Sequence, residues 1–182
     1  YEDFAFDISA THGIDPSVIS SIIGMNRLRM KSKNIQSGYS SRFEKQIMEF
    51  CRHYGVISSI RFQGRIAAGT ICYEVGNQTY LEIISHHPDF DQDRVGQVCL
   101  YLTIRQMIEK GQATFHMLWG ENEYNYRFLG VKHDLSFLTV YRSAFAKRAD
   151  IMKLLNHAYT QAVKQAVYVT HKYLIKRRKQ GN

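Results

Sequence analysis

Residues 56–85 constrain the fold most, because they hold three strand-like segments joined by two turn sequences. The segments are rich in β-branched and aromatic side chains, and they are 56–62, 66–75 and 79–85. The links 63–65 and 76–78 each contain a glycine, and short links of this kind favour hairpin turns. The sequence therefore predicts an antiparallel meander of three strands.

Apolar residues at helical spacing flank this meander on both sides. The predicted helices are 18–30, 43–54 and 95–110. Gly55 and Gly111 follow the second and third of them as stop signals. A short strand, 113–119, comes next, and because a helix separates it from the meander, a parallel crossover is its natural geometry. We therefore predict an α+β domain with a mixed, mostly antiparallel sheet flanked by helices.

The two ends of the chain show weaker patterns. Residues 1–8 are too short a segment to assign, and downstream we predict a strand over 135–141 and a long C-terminal helix over 146–178. The predicted organisation is an N-terminal helix and linker over 1–41, a core domain over 42–145 and a basic C-terminal helix over 146–182. Since the chain opens at Tyr1 within what looks like folded sequence, we expect 1–41 to be the remainder of a preceding region.

Composition indicates a globular protein that attracts anions. The 182 residues are 45% hydrophobic and 22% charged, which suits one packed core. The net charge of +8 favours nucleic acid, an anionic membrane surface or a phosphorylated cofactor, without choosing among them. Cys51, Cys72 and Cys99 lack a zinc-ligand spacing, so we predict no metal and a reducing compartment. No apolar run approaches the ~20 residues of a membrane span.

The order of these elements resembles the superfamily of Gcn5-related N-acyltransferases. The residues that carry the likeness are Gly96, Gly111, Phe115, Gly120, Tyr124 and Arg127. The likeness spans residues 43–141, and it is nearest to the branch with cellulose-biosynthesis-type and peptidoglycan-bridge (Fem-like) acyltransferases. His116 stands where that branch often has an aspartate, Glu121 and Asn122 replace an acidic pair, and Asn125 replaces a lysine. A role that needs this lysine is therefore absent here.

This resemblance implies a GNAT-like fold and transfer of an acyl group to an amine or cell-envelope acceptor. The implied donor is acyl-coenzyme A or an aminoacyl-tRNA. The chain also resembles the macrophage-inducible-gene proteins of intracellular bacterial pathogens. That likeness implies a part in antimicrobial-peptide resistance and virulence, in the bacterial cytoplasm or at the cytoplasmic face of the inner membrane. An anionic membrane surface and a second copy of the chain, as a homodimer, are the further partners that we expect.

The resemblance implies that the cofactor pyrophosphate lies at the start of helix 95–110, where free amides and the helix dipole favour anions. The implied cofactor-binding residues are Arg94, Gly96 and Gln97. Gly96 permits close backbone approach, and Arg94 supplies a charge-assisted contact to phosphate. An ordinary helix start capped by Asp93 explains the same residues, so both interpretations stay open at this point.

Acyl transfer to an amine requires a base for the proton of the amine and an acid for the departing thiolate. Glu82 and Tyr124 are the best candidates for this catalytic pair. Strict alternation along strand 79–85 places Glu82 on one face with Tyr80 and Ile84, and leaves Leu81 and Ile83 on the other. Glu82 is therefore expected in a cleft, where partial burial raises its pKa.

Alternatives remain for each of these residues. For Glu82 the alternative, which the pattern favours, is a solvent-facing carboxylate paired with Arg61 or Arg65 across the hairpin. The predicted acceptor-binding residues are Glu121, Asn122 and Arg127.

At the level of function, the alternatives to an acyltransferase are a binding domain that kept the fold without the chemistry and a nucleic-acid-binding regulator. No recognition helix, zinc finger or aromatic and basic sheet motif is present, so specific DNA binding is not expected.

Overall fold

The structure, a computed structural model, describes residues 4–117, 123–134, 140–145, 147–148 and 150–152, with the backbone alone for Glu123 and Tyr124. The chain divides into two compact units, Tyr1–Lys132 and His133–Asn182. The strands of the first unit are β1 (Phe4–Ala10), β2 (Gly55–Phe62), β3 (Arg65–Val75), β4 (Gln78–His86) and β5 (Thr114–His116). Its helices are α1 (Pro16–Ser32), α2 (Ser41–Tyr54), α3 (Val95–Glu109) and the short α4 (Glu123–Arg127), with 3₁₀ turns at Thr11–Gly13 and Pro88–Phe90.

The five strands form one sheet in the order β1-β2-β3-β4-β5. The first three pairings are antiparallel, and β4 pairs with β5 in parallel. The meander and the parallel crossover are therefore confirmed. In the first turn, Gln63 and Gly64 have φ of 48° and 75°, which is the type I′ geometry that follows the twist of the strands. The second turn has Gly76 at φ 62°, in a region that favours glycine.

The strand β1 is the element that the sequence pattern did not reveal. All seven of its residues pair with β2, from Phe4 opposite Phe62 to Ala10 opposite Val56. None of the seven is buried, because β1 lies at the edge of the sheet. An edge strand without a buried face lacks the period-two alternation on which a strand prediction depends.

Helices α1 and α2 cover one face of the sheet, which we call the α1/α2 face. Their buried residues Ile19, Ile22, Ile23, Met25, Ile47 and Cys51 form one cluster with Ile57, Ile71 and Ile83 of the strands. Glu44 joins the two helices, because its carboxylate accepts from the Ser20 hydroxyl at 3.0 Å and pairs with the Arg27 guanidinium at 2.8 Å. Ser40 caps α2 by accepting from the Phe43 amide.

Helix α3 covers the opposite face, which we call the α3 face. Leu100 and Met107 pack there on Val56, Cys72 and Leu81. Cys99 packs on Ile60 of β2 and on the adjacent Ala67 and Ala68 of β3. The buried hydroxyls of Thr70 and Thr103 lie 3.2 Å apart and bond each other across this layer. The sheet therefore has one layer of helix on each side, and both of its faces are buried.

In the second unit, described residues 144–145, 147–148 and 150–152 are helical. Residues 135–139 of the predicted strand over 135–141 and most of the predicted helix over 146–178 lie outside the described residues, and Val140 and Tyr141 are not in a strand. Among the helices that the structure does describe, none has the length and apolar character to cross a membrane.

Candidate active site

The sheet opens between β4 and β5. Their parallel pairing covers only three residue pairs, from Gln78 beside Thr114 to Tyr80 beside His116. Strand β4 continues to His86, and in the described part of the chain no strand pairs with that stretch on its β5 side. Among the described residues, the backbone along this edge therefore lacks a strand partner, and a ligand that lies beside the strand could pair with it.

Glu82 lies at this opening because of a β-bulge. Ile71 of β3 pairs with Ile83, whereas the next residue, Cys72, pairs with Leu81, so Glu82 is one extra residue in β4. The bulge interrupts the alternation: Ile83 packs in the cluster of the α1/α2 face and Leu81 in that of the α3 face. The expectation that Leu81 and Ile83 share a face was therefore wrong, because an inserted residue shifts every later side chain by one position.

The half-buried Glu82 carboxylate faces Tyr39, Cys51 and Tyr73. Burial raises its pKa above the ordinary value for glutamate. Burial and the nearby Glu82 charge likewise raise the pKa of Tyr39 to about 12 and that of Cys51 to about 12. The pKa of Tyr73 is raised as well, first by burial and then by the Glu82 charge. The Glu82 carboxyl therefore keeps its proton to higher pH than an ordinary glutamate does. The phenols and the thiol around it stay neutral.

The predicted alternative for Glu82, an ion pair across the hairpin, is wrong. Arg61 pairs with Asp7 of β1 at 3.4 Å. Arg65 pairs with Asp89 of the loop before α3 at 3.5 Å. Within the described residues, the Glu82 carboxylate has neither an ion pair nor a hydrogen-bond donor. Its charged form is therefore not compensated by any side chain that the structure describes.

Aromatic side chains wall the site on the α1/α2 face. The Tyr39 hydroxyl donates to the backbone carbonyl of Glu82 at 3.1 Å. The rings of Phe50 and Tyr73 meet edge to face with centroids 5.5 Å apart. Tyr39 also lines an open cleft of about 530 Å³ between α1 and α2, together with polar and basic side chains such as Arg27 and Lys31. Tyr39 thus connects the Glu82 backbone to a cleft that is large enough for a small acceptor molecule.

Three further polar side chains meet where β5 leaves β4. The rings of Tyr80 and His116 stack with centroids 4.5 Å apart and an interplanar angle of 11°. The Gln78 amide oxygen lies 2.7 Å from the Tyr80 hydroxyl and 3.0 Å from Nε2 of His116. Because Tyr80 is the cross-strand neighbour of Tyr73, this group belongs to the same face as Glu82.

The first turn of α3 lies at the far end of β4, on the α3 face. Arg94 is the N-cap, with φ 52° and no side-chain hydrogen bond to the helix amides, so the N-cap lies one residue after the Asp93 that the sequence suggested. Arg94 is exposed, Gln97 is half-buried and Gly96 is buried. A Cβ at Gly96 would lie 3.0 Å from Nδ1 of His86, so the histidine ring already occupies the space that this glycine leaves.

Most of the predicted acceptor-binding segment lies outside the described residues. Gly120, Glu121 and Asn122 fall there, and for Tyr124 only the α4 backbone is described. Arg127, at the end of α4, is exposed. The structure thus brings Glu82 to the opening and Arg94, Gly96 and Gln97 to the start of α3. The roles of all these residues, with Tyr124, remain predictions.

Sequence reasoning missed Tyr39, Tyr73 and the Gln78 group. Tyr39 lies in a segment predicted as a polar loop, and it meets Glu82 across 43 positions of sequence. Tyr73 and Gln78 lie on predicted strands or turns, but their common face depends on register. The one signal in the sequence was that tyrosines such as Tyr73 and Tyr80 occur near Glu82 on the predicted strands.

We expect Tyr39→Phe to lower the free energy of unfolding by about 0.5–1.5 kcal/mol, because the bulge carbonyl loses its hydrogen-bond donor. Urea unfolding followed by fluorescence measures this change. Tyr101→Phe is the matched control, since Tyr101 is 55% exposed on α3 and should change stability by less than about 0.5 kcal/mol. Equal stability of the two variants would contradict a stabilising contact between Tyr39 and the bulge.

Comparison with known proteins places this geometry in context. Residues 11–126 match the model of a family described as an acetyltransferase (GNAT) domain. No curated protein matches the sequence significantly. In the residues that the structure describes, no group of three or more His, Cys, Asp or Glu side chains is arranged to hold a metal ion.

Several solved structures share the fold. An aminoglycoside acetyltransferase from an uncultured soil metagenomic sample, in complex with sisomicin, has a TM-score of 0.55 at 11% identity, covering 78% of this chain and 98% of its own. The ribosomal-protein-S18-alanine N-acetyltransferase of Escherichia coli has a TM-score of 0.51 at 19% identity, covering 69% and 77%. A predicted acetyltransferase from Clostridium acetobutylicum, with acetyl-CoA, has a TM-score of 0.54 at 9% identity, covering 76% and 96%. At these identities the likeness shows the fold alone.

Proposed function

The chain belongs to the acetyltransferase (GNAT) domain family, and from that premise we propose that it transfers an acyl group from acyl-coenzyme A to an amine. The observation that carries the proposal is Glu82, an uncompensated and half-buried carboxylate placed by a bulge at the opening between β4 and β5. A strained or irregular strand position beside an open edge is typical of functional sites. We expect the acceptor amine to lie between Glu82 and the cleft lined by Tyr39.

In this proposal Glu82 acts as the general base. An amine must lose a proton as it attacks a carbonyl, and a carboxylate with a raised pKa is a better acceptor than one at the ordinary value. The neutral phenols of Tyr39 and Tyr73 limit water at the carboxylate and present ring faces, which attract an ammonium group before it reacts. The proposed acid for the thiolate is Tyr124, and the proposed acceptor contacts are Glu121, Asn122 and Arg127.

The α3 start fits the proposed donor. The N-cap Arg94 offers the helix amides no side-chain acceptor, and the helix dipole favours an anion at this end of the helix. In the proposal the Arg94 guanidinium pairs with a phosphate, and the Gly96 and Gln97 backbone lies beside it. The thioester, when bound, supplies the acyl group. The Clostridium acetobutylicum neighbour was solved with acetyl-CoA, which supports a coenzyme A thioester over an aminoacyl-tRNA as the donor.

Calorimetry with coenzyme A and acetyl-coenzyme A, in moderate salt, tests the donor site. Arg94→Gly should weaken binding by about tenfold or more, since hydrogen bonds between charged groups contribute about 1.5–3 kcal/mol. The same variant should stabilise the fold by about 1 kcal/mol, because arginine at φ 52° is strained and glycine is not.

Arg94→Gln separates the two effects, because it removes the charge and leaves the backbone strain. Affinity should fall without a gain in stability. Unchanged affinity in both variants would remove Arg94 from the donor site, and no saturable binding by the wild type would refute the acyl-coenzyme A proposal. Gly96→Glu is a further probe, although its side chain also collides with His86.

The acceptor is tested with a panel of amines. The acceptors named for the structural neighbours supply the first two probes, an aminoglycoside and a peptide with an N-terminal alanine. Release of free thiol from acetyl-coenzyme A measures turnover. Turnover with either probe supports the transferase, and saturable coenzyme A binding without turnover on a wide amine panel favours a domain that binds and does not catalyse.

A narrower form of the proposal places the acceptor in the bacterial cell envelope and links the protein to antimicrobial-peptide resistance and virulence. It rests on the resemblance described above and on the net charge of +8, which favours the anionic cytoplasmic face of the inner membrane. Sedimentation with vesicles containing about one third phosphatidylglycerol tests it. If the protein binds neutral vesicles as strongly as these anionic ones, a membrane location based on charge is contradicted.

A further inference from the structure

Gln78, Tyr80 and His116 form one hydrogen-bonded group at the point where β5 leaves β4. The Tyr80 hydroxyl lies 2.7 Å from the Gln78 amide oxygen, and Nε2 of His116 lies 3.0 Å from the same oxygen. The stacked rings of Tyr80 and His116 hold the imidazole parallel to the phenol. Both donors therefore converge on a single acceptor atom.

The arrangement determines the protonation of the imidazole. An amide oxygen accepts hydrogen bonds and cannot donate one, so Nε2 of His116 must carry a proton to bond it. In a neutral imidazole the other nitrogen then has a free lone pair. Nδ1 of His116 has no hydrogen-bond partner among the residues that the structure describes, and the ring is half-buried.

The group lies on the face that holds the proposed base. Tyr80 is the cross-strand partner of Tyr73, whose ring packs against the cluster of the α1/α2 face. Tyr80 precedes Glu82 by two positions, and His116 is its neighbour across the parallel pairing. His116 and Glu82 thus lie on the same face of the sheet, close to the point where β4 and β5 separate.

The reaction removes two protons from the amine at this place. An amine enters as R–NH₃⁺ and leaves as an amide, R–NH–CO–R′, so its nitrogen loses two protons. One proton is lost before the nitrogen lone pair attacks, and the second is lost as the C–N bond forms and the C–S bond breaks. The thiolate takes up one proton, and one proton is released to solvent. A single carboxylate can hold only one of these protons at a time, so a second base beside it would let both leave without exchange with solvent in between.

We propose that Gln78 holds His116 with its proton on Nε2, so that Nδ1 is the second proton acceptor of the site. This inference rests on the proposed function. Nδ1 takes the proton of the incoming ammonium and becomes imidazolium, with its Nε2–H bond to Gln78 intact, and then releases the proton to solvent. Glu82 takes the second proton during attack. Gln78 and Tyr80 are positioning residues, because they act through His116.

Long-range ¹H–¹⁵N NMR of histidine-labelled protein tests the tautomer directly at a pH where His116 is neutral. His116 should show an Nε2–H tautomer, assigned by comparison with His116→Gln. Gln78→Leu should lower the ratio of the Nε2–H to the Nδ1–H form by about two- to tenfold, the effect of one lost neutral hydrogen bond. Tyr80→Phe keeps the stacked ring and should give a smaller change.

A proton on Nδ1 in the wild type, or an unchanged ratio in Gln78→Leu, overturns the inference. Both outcomes leave coenzyme A binding by calorimetry untouched, so they are distinguishable from failure of the proposed function. Absence of coenzyme A binding or turnover would instead remove the proton-accepting role, while the NMR result still decides what Gln78 does to the ring.

Kinetics with a probe amine that the wild type acetylates test the catalytic role. His116→Gln keeps a polar group near the Nε2 position and His116→Asn keeps one near Nδ1, but neither accepts a proton. Both should lower kcat by about 10²-fold or more, within the range for a lost general base, with KM changed less than kcat. If His116→Asn retains wild-type kcat, Nδ1 serves only as a hydrogen-bond acceptor and the inference fails.

Discussion

Replacement of Glu82 by glutamine should lower kcat by about 10²–10⁴-fold, because the amide cannot accept a proton and the usual contribution of a general base is of that size. The side chain keeps its shape, so coenzyme A affinity should stay within about threefold. Thiol release with a probe amine measures kcat, and calorimetry measures the affinity. The wild-type rate should also rise with pH through the raised pKa of Glu82 and be lost below it.

The same substitution should not destabilise the fold, and this distinguishes a catalytic carboxylate from a structural one. The pKa of Glu82 is higher in the folded protein than in the unfolded chain, because burial penalises the charged form. The folded state therefore binds this proton more tightly, and stability falls as pH rises from the unfolded value to the folded one. Glu82→Gln removes that loss, so it should raise Tm at pH 7 and leave it nearly unchanged below pH 4.

Glu74→Gln is the matched control, since Glu74 is a carboxylate of the neighbouring strand that pairs with Lys110 on the α3 face. It should leave kcat unchanged and lower stability slightly. If Glu82→Gln keeps kcat within about threefold of the wild type, Glu82 is not the base. If it lowers both kcat and Tm at pH 7, the carboxylate supports the fold.

Gly69→Ala should lower the free energy of unfolding by about 2–3 kcal/mol, at the upper end of what overpacking costs. A Cβ at this position of β3 would lie 2.5 Å from Cγ1 and 2.6 Å from Cδ1 of Ile22, and 3.1 Å from the Ser58 carbonyl oxygen. Ile22 is fully buried in α1 and cannot rotate away. Thermal unfolding should show a drop of about 5–10 °C in Tm for a chain of this size.

Two further variants make this prediction specific. Gly24→Ala, in α1 itself, should stabilise the protein by about 0.5–1 kcal/mol, because nothing lies within 4 Å of the new Cβ and alanine favours the helix. Ile22→Ala removes the atoms that collide, so Gly69→Ala should cost about 1–3 kcal/mol less in that background. If Gly69→Ala costs the same in both backgrounds, contact with Ile22 is not the cause.

Much of the fold could be predicted because its signals are local. The helix over 43–54 and its stop at Gly55 match α2, which ends at Tyr54. The hairpin at Gly76 depends on four consecutive residues, and glycine is the residue that tolerates the φ of 62° found there. Strand β1 lacks such a signal because an exposed edge strand has no apolar side to mark it.

The candidate site could be predicted only in part. The sequence singled out Glu82 by residue type, and burial on folding raises its pKa in the predicted direction. Its neighbours were not predictable, because the bulge depends on how β4 pairs with β3 and no pattern within β4 marks the extra residue. Tyr39 reaches Glu82 from a loop, and loops have no periodicity that specifies where a side chain points.

The sequence by itself determined the order of the elements from α1 to β5, the turns of the meander and the helix that follows it, because periodicity and turn chemistry act over a few residues. Tertiary structure alone decided that Tyr39 reaches the Glu82 backbone carbonyl, that Gly69 lies against Ile22, and that Gln78 meets His116. Each of these contacts depends on strand register or on the packing of a helix against the sheet. Such contacts join residues that are distant in sequence, so no local pattern encodes them.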